Sequence, residues 1–295
     1  MPHSHPIPYM LRENILTGNA LWFLLLGGLS LLLIAYTFWR KRDPKLLALY
    51  LGLGAIAGYF ENVVCIWLES YEYYPHILKD PYLDIVLGTY LSQVYYVTSV
   101  ALFITAFHLR FRWALVFAGM FVGIEYGFLA LGIYKLNWWH PGYTFIGLLL
   151  FFWISNKWYR LIQIESSRFV RWFTLVGINY ILYGNVTVLP FFNHNYRFVG
   201  GFFELPERDT VTVLIIFMLV RGVIVATVCF YRLHWAILAS VPIAIGAGIL
   251  VLTHAHILTF KYEWCLWLFT SADTIVLICC FFFNRILSSR HRHPH

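Results

Sequence analysis

Three ionisable residues, Glu125, Arg221 and Asp273, lie inside long apolar stretches of the chain. Arg221 is near the centre of the run 209–231, Glu125 follows Trp113 by twelve residues, and Asp273 lies in the middle of the last apolar run. A cation at the centre of a bilayer costs at least ~2.5–3.5 kcal/mol on insertion scales. We therefore expect all three side chains to face the protein interior at one depth and to form a shared site.

Two acids and one arginine leave one negative charge in such a site. Arginine stays protonated, so one carboxyl group takes up a proton or meets a cationic ligand. The sequence thus predicts substrate binding by Arg221, Glu125 and Asp273, and catalysis by Glu125 and Asp273 if the protein is an enzyme. The alternative is a fixed ion pair that only holds helices together. Which carboxylate pairs with Arg221 is left open.

Glu61, Asn62 and Asp84 extend the predicted substrate-binding set towards one membrane face. Glu61 and Asn62 follow the small-residue run 52–58, which suits close helix packing. Each acid also has a structural interpretation: Glu61 reaches the interface, and Asp84 is a first-turn acid favoured by the helix dipole. No metal or cofactor is predicted. His254 and His256 are two residues apart and would point about 200° apart on a helix.

Composition places these residues in a membrane protein. The 295-residue chain is 60% hydrophobic and 12% charged, with a mean hydropathy of +0.70. A soluble domain carries about 25% charged residues. We therefore predict an all-α, polytopic integral membrane bundle whose partners are the lipid bilayer and a small-molecule or lipophilic ligand, with no nucleic acid. The five cysteines lack metal-type spacing, and a disulfide between Cys65 and Cys265 is left open.

Nine apolar segments predict nine transmembrane helices. They cover residues 18–38, 46–68, 83–107, 113–134, 143–158, 172–190, 210–231, 235–257 and 264–284. Counted by side, fourteen Lys and Arg residues fall with the odd-numbered connections and the C-terminus, and six fall on the other side. By the positive-inside rule, this predicts a cell-membrane protein with its N-terminus outside and its C-terminus in the cytoplasm.

Matching residues indicate an internal repeat. Trp113 and Trp235 each open a span 122 residues apart, and Asn62 and Asn185 lie 123 residues apart. Four helices per copy is an even number, so the two copies would be parallel. We predict an N-terminal segment 1–44 with the first helix, four-helix units at 45–167 and 168–287, and a basic, His-rich cytoplasmic tail at 288–295.

Part of the first predicted unit carries a recognisable set of residues. They are Trp113, the step Ile124-Glu125-Tyr126, and the series Gly132, Trp138-Trp139, Trp153 and Trp158. With these, residues 45–160 resemble an uncharacterised family of small four-helix membrane proteins of spore-forming bacteria. The resemblance implies a four-helix unit and no particular activity. The second half departs from it, because the repeat places the stretch from Gly246 to Gly248 where Glu125 lies in the first.

Three classes of function fit these observations. The first is a transporter or carrier of a small molecule with a midplane charged site. The second is a membrane-embedded enzyme that uses an intramembrane carboxylic acid as general acid on a lipophilic substrate, as isomerases and cyclases do. The third is a membrane sensor or assembly partner. The chain contains no Walker loop, no GxGxxG, no serine nucleophile elbow and no HExxH.

Overall fold

The computed structural model describes residues 18–164, 167–231 and 233–289. Over this part of the chain, eight helices are long and apolar enough to cross a membrane, so the protein is a multi-pass helical membrane protein. The helices are α1 Asn19–Lys41, α2 Pro44–Glu61, α3 Pro81–Tyr90, α4 Thr98–Ala106, α5 Phe111–Ala130, α6 Pro141–Gln163, α7 Arg168–Phe192, α8 Pro206–Tyr231, α9 Trp235–His254 and α10 Glu263–Ser288.

The described residues divide into two compact units, 18–164 and 167–289. The predicted boundary at 167/168 lies within a few residues of this division. The sequence analysis set the first helix apart from the repeat. In the structure α1 belongs to the first unit, where it packs along α4 and along the π-helical segment 91–97.

Two helices of the first unit, α2 and α3, start where an acid precedes a proline. Asp43 and Asp80 precede Pro44 and Pro81, and their carboxylates accept backbone N–H groups of the first helical turn. Such a cap satisfies donors that the helix itself leaves unpaired, and proline at the first helical position has no N–H to satisfy. The two helices thus begin at positions set by the local sequence.

Two spans of the first unit contain π-helical segments. The span that starts as α2 continues as a π-helix over Asn62–Trp67, and the segment Leu91–Val97 joins α3 to α4. A π-helical segment widens the helix and interrupts its regular hydrogen bonds, and such segments are frequent at functional sites. None is found in the described residues of the second unit.

Short antiparallel strands were not expected from the sequence. In the first unit β1 (Tyr71–Tyr73) pairs with β2 (Tyr134–Leu136). In the second unit β3 (Tyr196–Phe198) pairs with β4 (Leu258–Phe260). The strands link loops that follow different helices. They satisfy backbone hydrogen bonds that the ends of a helical bundle leave open.

The core of the second unit forms around α7, α8 and α10, which make extensive contacts with one another. Its largest fully buried side chains include Arg221, Tyr183 and Phe269. Asp209, in the first turn of α8, accepts hydrogen bonds from the backbone N–H groups of Gly200 and Phe202. This carboxylate therefore fixes the loop that follows β3.

Two further expectations can be compared with the structure. The fifth predicted span, 143–158, is longer than expected, because α6 covers Pro141–Gln163. It does not count among the eight apolar spans, since its last turns carry the polar residues Asn156, Lys157 and Arg160. Cys65 and Cys265 are both buried free thiols, so the open question of a disulfide is answered in the negative for this structure.

Candidate functional site

The first unit contains a partly open cavity of about 220 Å³. Its walls come from α1, α2, α5, α6, the π-helical segment 91–97 and both strands. Eleven aromatic side chains line it together with other apolar groups: Phe23, Phe60, Tyr71, Tyr73, Tyr96, Phe121, Phe128, Tyr134, Trp139, Tyr143 and Phe151. Among the lining residues that the structure describes, Glu61 and Glu125 are the charged ones, and none is Lys, Arg or His.

Glu61 is the last residue of α2 before the π-helical segment, and 5% of it is exposed. The phenol of Tyr71 donates a short hydrogen bond to its Oε2 atom. Burial raises the pKa of Tyr71 well above its usual value, and the charge of Glu61 raises it further. Tyr71 therefore remains a neutral donor at physiological pH, and Glu61 has a defined partner.

Glu125, on α5, is 8% exposed, and both of its carboxylate oxygens are buried without a hydrogen-bond partner among the described residues. The hydroxyl groups of Thr144 and Tyr134 act electrostatically on this carboxyl group but do not reach hydrogen-bond geometry. Burying such a group without compensation is costly. Glu125 is therefore the group in this cavity that is open to a ligand or a proton.

His140 and Trp139 border the Glu125 side of the cavity. The indole Nε1 of Trp139 donates to Thr144 Oγ1 at 2.8 Å, which fixes the orientation of the ring. The Nδ1 atom of His140 accepts the backbone N–H of Gly142 at 3.1 Å. This hydrogen bond holds the His140 ring at the start of α6, and His140 is not among the residues that line the cavity.

Three tyrosines form the end of the cavity near the strands. The rings of Tyr73 and Tyr134 are 4.7 Å apart, and those of Tyr71 and Tyr134 are 5.3 Å apart. The hydroxyl groups of Tyr73 and Ser92 are within 3.2 Å. Burial raises the pKa of Tyr73 and of Tyr134 above the usual value. These phenols are neutral, so they add polar hydroxyl groups to the cavity without adding charge.

The second unit holds the other two predicted site residues in direct contact. The Nε atom of Arg221, on α8, donates a short hydrogen bond to Oδ1 of Asp273, on α10. The guanidinium also lies 3.7 Å from the ring centroid of Tyr183. Both Arg221 Nη atoms, Asp273 Oδ2 and the Tyr183 hydroxyl are buried without hydrogen-bond partners. Asp273 is thus the carboxylate that pairs with Arg221.

The predicted site residues therefore fall into separate groups. Glu61 and Glu125 line the cavity of the first unit, whereas Arg221 and Asp273 form an ion pair within the second. The convergence of Glu125 with that pair stays a prediction.

Asp84 and Asn62 do not line the cavity. Asp84 accepts the backbone N–H groups of three consecutive loop residues, 76–78, at 2.8 Å each, and Asn62 Nδ2 donates to the carbonyl of Gly58. Both side chains thus have structural partners in the first unit.

Sequence reasoning missed the aromatic part of the site. From sequence alone, Tyr71 and Trp139 fit an interfacial aromatic belt, but in the structure Tyr71 donates to Glu61 and Trp139 donates to Thr144. The available signal was the spacing of Tyr71, Tyr73 and Tyr134 next to polar residues, but it does not differ from an ordinary belt. Only the pairing of β1 with β2 brings these residues together.

Comparisons of the chain with protein-family models, with characterised proteins and with solved structures find no match. The fold and the site define the class of protein at a coarser level: a multi-pass helical membrane protein that contains a buried, aromatic, carboxyl-bearing cavity.

Proposed function

We propose that this protein is a carrier that binds a small lipophilic molecule in the cavity of its first unit. One observation carries the proposal: the carboxyl group of Glu125 is buried in an aromatic cavity and lacks a hydrogen-bond partner. An uncompensated ionisable group inside a membrane protein is a functional-site hypothesis by default. Ligand or proton binding would compensate Glu125.

The position of the cavity supports a carrier. Glu125 lies five residues before Ala130, where α5 ends, and Glu61 lies six residues before Trp67, where its span ends. At 1.5 Å per residue, the site lies about 8 Å from the ends of these helices that lead into the strands β1 and β2. A ligand that enters from that side reaches the carboxyl groups after a short path. A carrier would then move it across the remaining, longer part of the membrane in a later step.

A membrane-embedded enzyme is the second candidate, and the surroundings of Glu125 favour it. A protonated carboxyl group beside neutral phenols is a general acid, and aromatic faces stabilise a positive charge that develops on a substrate. Catalysis would then rest on Glu125 alone, because Asp273 already pairs with Arg221 in the second unit.

We propose further that the two units are copies of one four-helix repeat. Corresponding features occur at offsets of 124 and 125 residues: Pro81 and Pro206 start helices, Asp84 and Asp209 cap the preceding loops, and the strand pair β1–β2 corresponds to β3–β4. Arg221 follows Pro206 by fifteen residues, as Tyr96 follows Pro81. Arg221 of the buried ion pair would then correspond in position to Tyr96, which lines the cavity in the first copy.

The experiment compares cells that express wild type, Glu125→Gln, and Glu263→Gln, which removes an exposed carboxylate at the start of α10. Untargeted mass spectrometry of cell extracts and medium is the readout. A carrier redistributes a solute between cells and medium without forming a new product, and only Glu125→Gln abolishes this. A new product that depends on Glu125 would favour the enzyme. Equal profiles from all three proteins would contradict both functions.

A further inference from the structure

We propose that the ligand of the cavity in the first unit is a small organic cation: a substituted ammonium group on an apolar body, with Glu125 as its counter-ion. The proposal rests on the proposed function, since it names the ligand class of the same site. It follows from the charge, the surface and the size of the cavity.

Charge is the first argument. The lining residues described by the structure include two carboxyl groups and no basic side chain. Tyr71 already satisfies Glu61, whereas Glu125 has no hydrogen-bond partner. A neutral lipophilic ligand would leave a proton as the only charge compensation for Glu125, and an anion would add repulsion. A ligand cation forms a neutral pair with the Glu125 carboxylate inside the cavity.

The lining surface is the second argument. Trp139 lies at the centre of an aromatic group, with its ring centroid 5.6 Å from Tyr71, 5.5 Å from Tyr143 and 6.4 Å from Phe60. These three rings stand at 71–76° to the indole plane. Rings that stand steeply to the indole in this way present both faces and edges to the cavity, and ring faces attract cations within about 6 Å. Such aromatic cages recognise alkylammonium groups.

Size is the third argument. An apolar cavity of about 150 Å³ holds benzene. The cavity of about 220 Å³ therefore has room for one ring or a short alkyl body together with an ammonium group. Several lining side chains at the α2 and α6 walls, Phe60, Tyr143 and Leu150, are about half exposed. The apolar body of the ligand would lie against these residues, and its charged end would lie against Glu125.

The test uses the purified full-length protein in detergent micelles and two probes of the same shape. Benzyltrimethylammonium carries the charge, and neopentylbenzene replaces its nitrogen with carbon. Titration calorimetry, with protein-free micelles as the blank, gives both dissociation constants. We expect wild type to bind the cation at least about tenfold more tightly than its neutral isostere, because ion pairing and cation–π attraction are both lost with the charge.

Substitutions at Glu125 and Trp139 distinguish the loss of ion pairing and cation–π attraction from a general loss of structure. Glu125→Gln should weaken cation binding about tenfold or more and change binding of the isostere less than about twofold. Trp139→Phe keeps an aromatic ring of weaker cation affinity, so it should reduce cation binding less than Trp139→Leu does. Equal loss in the two Trp139 variants would contradict an aromatic role in cation binding.

The outcomes distinguish this inference from the proposed function. If neopentylbenzene binds as tightly as the cation in wild type, or if Glu125→Gln leaves cation binding unchanged, the ligand class is wrong while the cavity remains a binding site. If neither probe binds wild type, both the ligand class and the cavity as a site for such molecules are overturned.

Discussion

Arg221 and Glu125 illustrate two ways in which a charged residue is held inside a membrane protein. Arg221 is 2% exposed and Asp273 is 1% exposed, so their ion pair is desolvated on both sides. Tyr183 adds a cation–π contact to the guanidinium. Neither carboxylate oxygen of Glu125 has a hydrogen-bond partner among the residues that the structure describes. At the residue scale, this difference supports the proposal that Glu125 binds the ligand, while the pair holds α8 against α10.

The ion pair gives a stability prediction. Asp273→Asn leaves the Arg221 cation buried without its counter-ion, which should cost about 3–5 kcal/mol of unfolding free energy. Combining Arg221→Met with Asp273→Leu removes both charges and should be nearly neutral. SDS-induced unfolding of the purified protein in mixed micelles measures both. A single variant as stable as wild type would show that the pair does not hold α8 against α10.

Sequence context identifies these charged residues but not their partners. Glu125, Arg221 and Asp273 stand out because their neighbours are apolar, and this needs no structure. The partner of Arg221 lies 52 residues away, on a helix whose rotation about its own axis depends on packing. Hydropathy does not report this rotation. For this reason the choice between Glu125 and Asp273 was open until α8 and α10 were seen in contact.

At the scale of elements, hydropathy predicts the helices well and the small features poorly. Three-residue strands are too short to show a period of two, and a π-helical segment has no periodic signature of its own. Yet Glu61 directly precedes one π-helical segment, and Tyr96 belongs to the other. The short strands and the π-helical segments shape the cavity, and neither can be predicted from hydropathy. One signal was available: the pattern Pro-x-x-Asp occurs at 81–84 and again at 206–209.

The close approach of loop and helix also recurs in both units. A Cβ atom on Gly88 of α3 would lie 2.6 Å from Tyr73 Cβ and 3.1 Å from Pro75 Cδ. In the second unit, a Cβ on Gly200 of the loop would lie 2.4 Å from a methyl group of Val213 on α8. The glycine is on the helix in one unit and on the loop in the other. A glycine at either position permits this close contact between loop and helix. The positions of the glycines alone would therefore not indicate a repeat.

The strand pair β1–β2 gives a prediction of pH dependence. Burial raises the pKa of Glu72, but hydrogen bonds from Tyr74, Asn137 and Lys135 outweigh it and hold the pKa below its usual value. A lowered pKa stabilises the protein above about pH 4.3, the pKa of unfolded glutamate, and this contribution is lost as pH falls through the native value. Glu72→Gln should therefore lower the unfolding temperature at pH 7, and the difference should shrink below about pH 4.

Because the Glu72 side chain is 26% exposed and its partner Lys135 is 55% exposed, solvent screens their interaction, and the effect of Glu72→Gln should stay below about 1 kcal/mol. Thermal unfolding in detergent at the two pH values measures it, with Glu263→Gln as a control for the loss of an exposed carboxylate. A difference between wild type and Glu72→Gln that is the same at both pH values would show that the Glu72 hydrogen bonds do not stabilise the strand pair.

For the whole molecule, the number of membrane crossings decides which face each loop occupies. Within the described ranges, eight helices are apolar enough to cross, and α6 has the length but a polar end. If α6 crosses, the count is nine, and the two strand pairs lie on the same side of the membrane. If α6 does not cross, each loop of the second unit lies on the opposite side of the membrane from the side that nine crossings give it. Hydropathy alone cannot decide this, because the polar residues of α6 fall where an interface is expected.

Cysteine labelling in intact cells tests the count, the orientation and the parallel repeat together. Single cysteines replace exposed residues at Lys41, Lys135, Leu233 and Thr259, and a membrane-impermeant maleimide is the reagent. Nine crossings with an outer N-terminus predict labelling at Lys135 and Thr259 and protection at Lys41 and Leu233. Wild type should react little, because four of its five cysteines are buried, and permeabilised cells should label all four positions. Labelling at Leu233 with protection at Thr259 would instead mean that α6 does not cross, and labelling at Lys41 would reverse the orientation of the first unit.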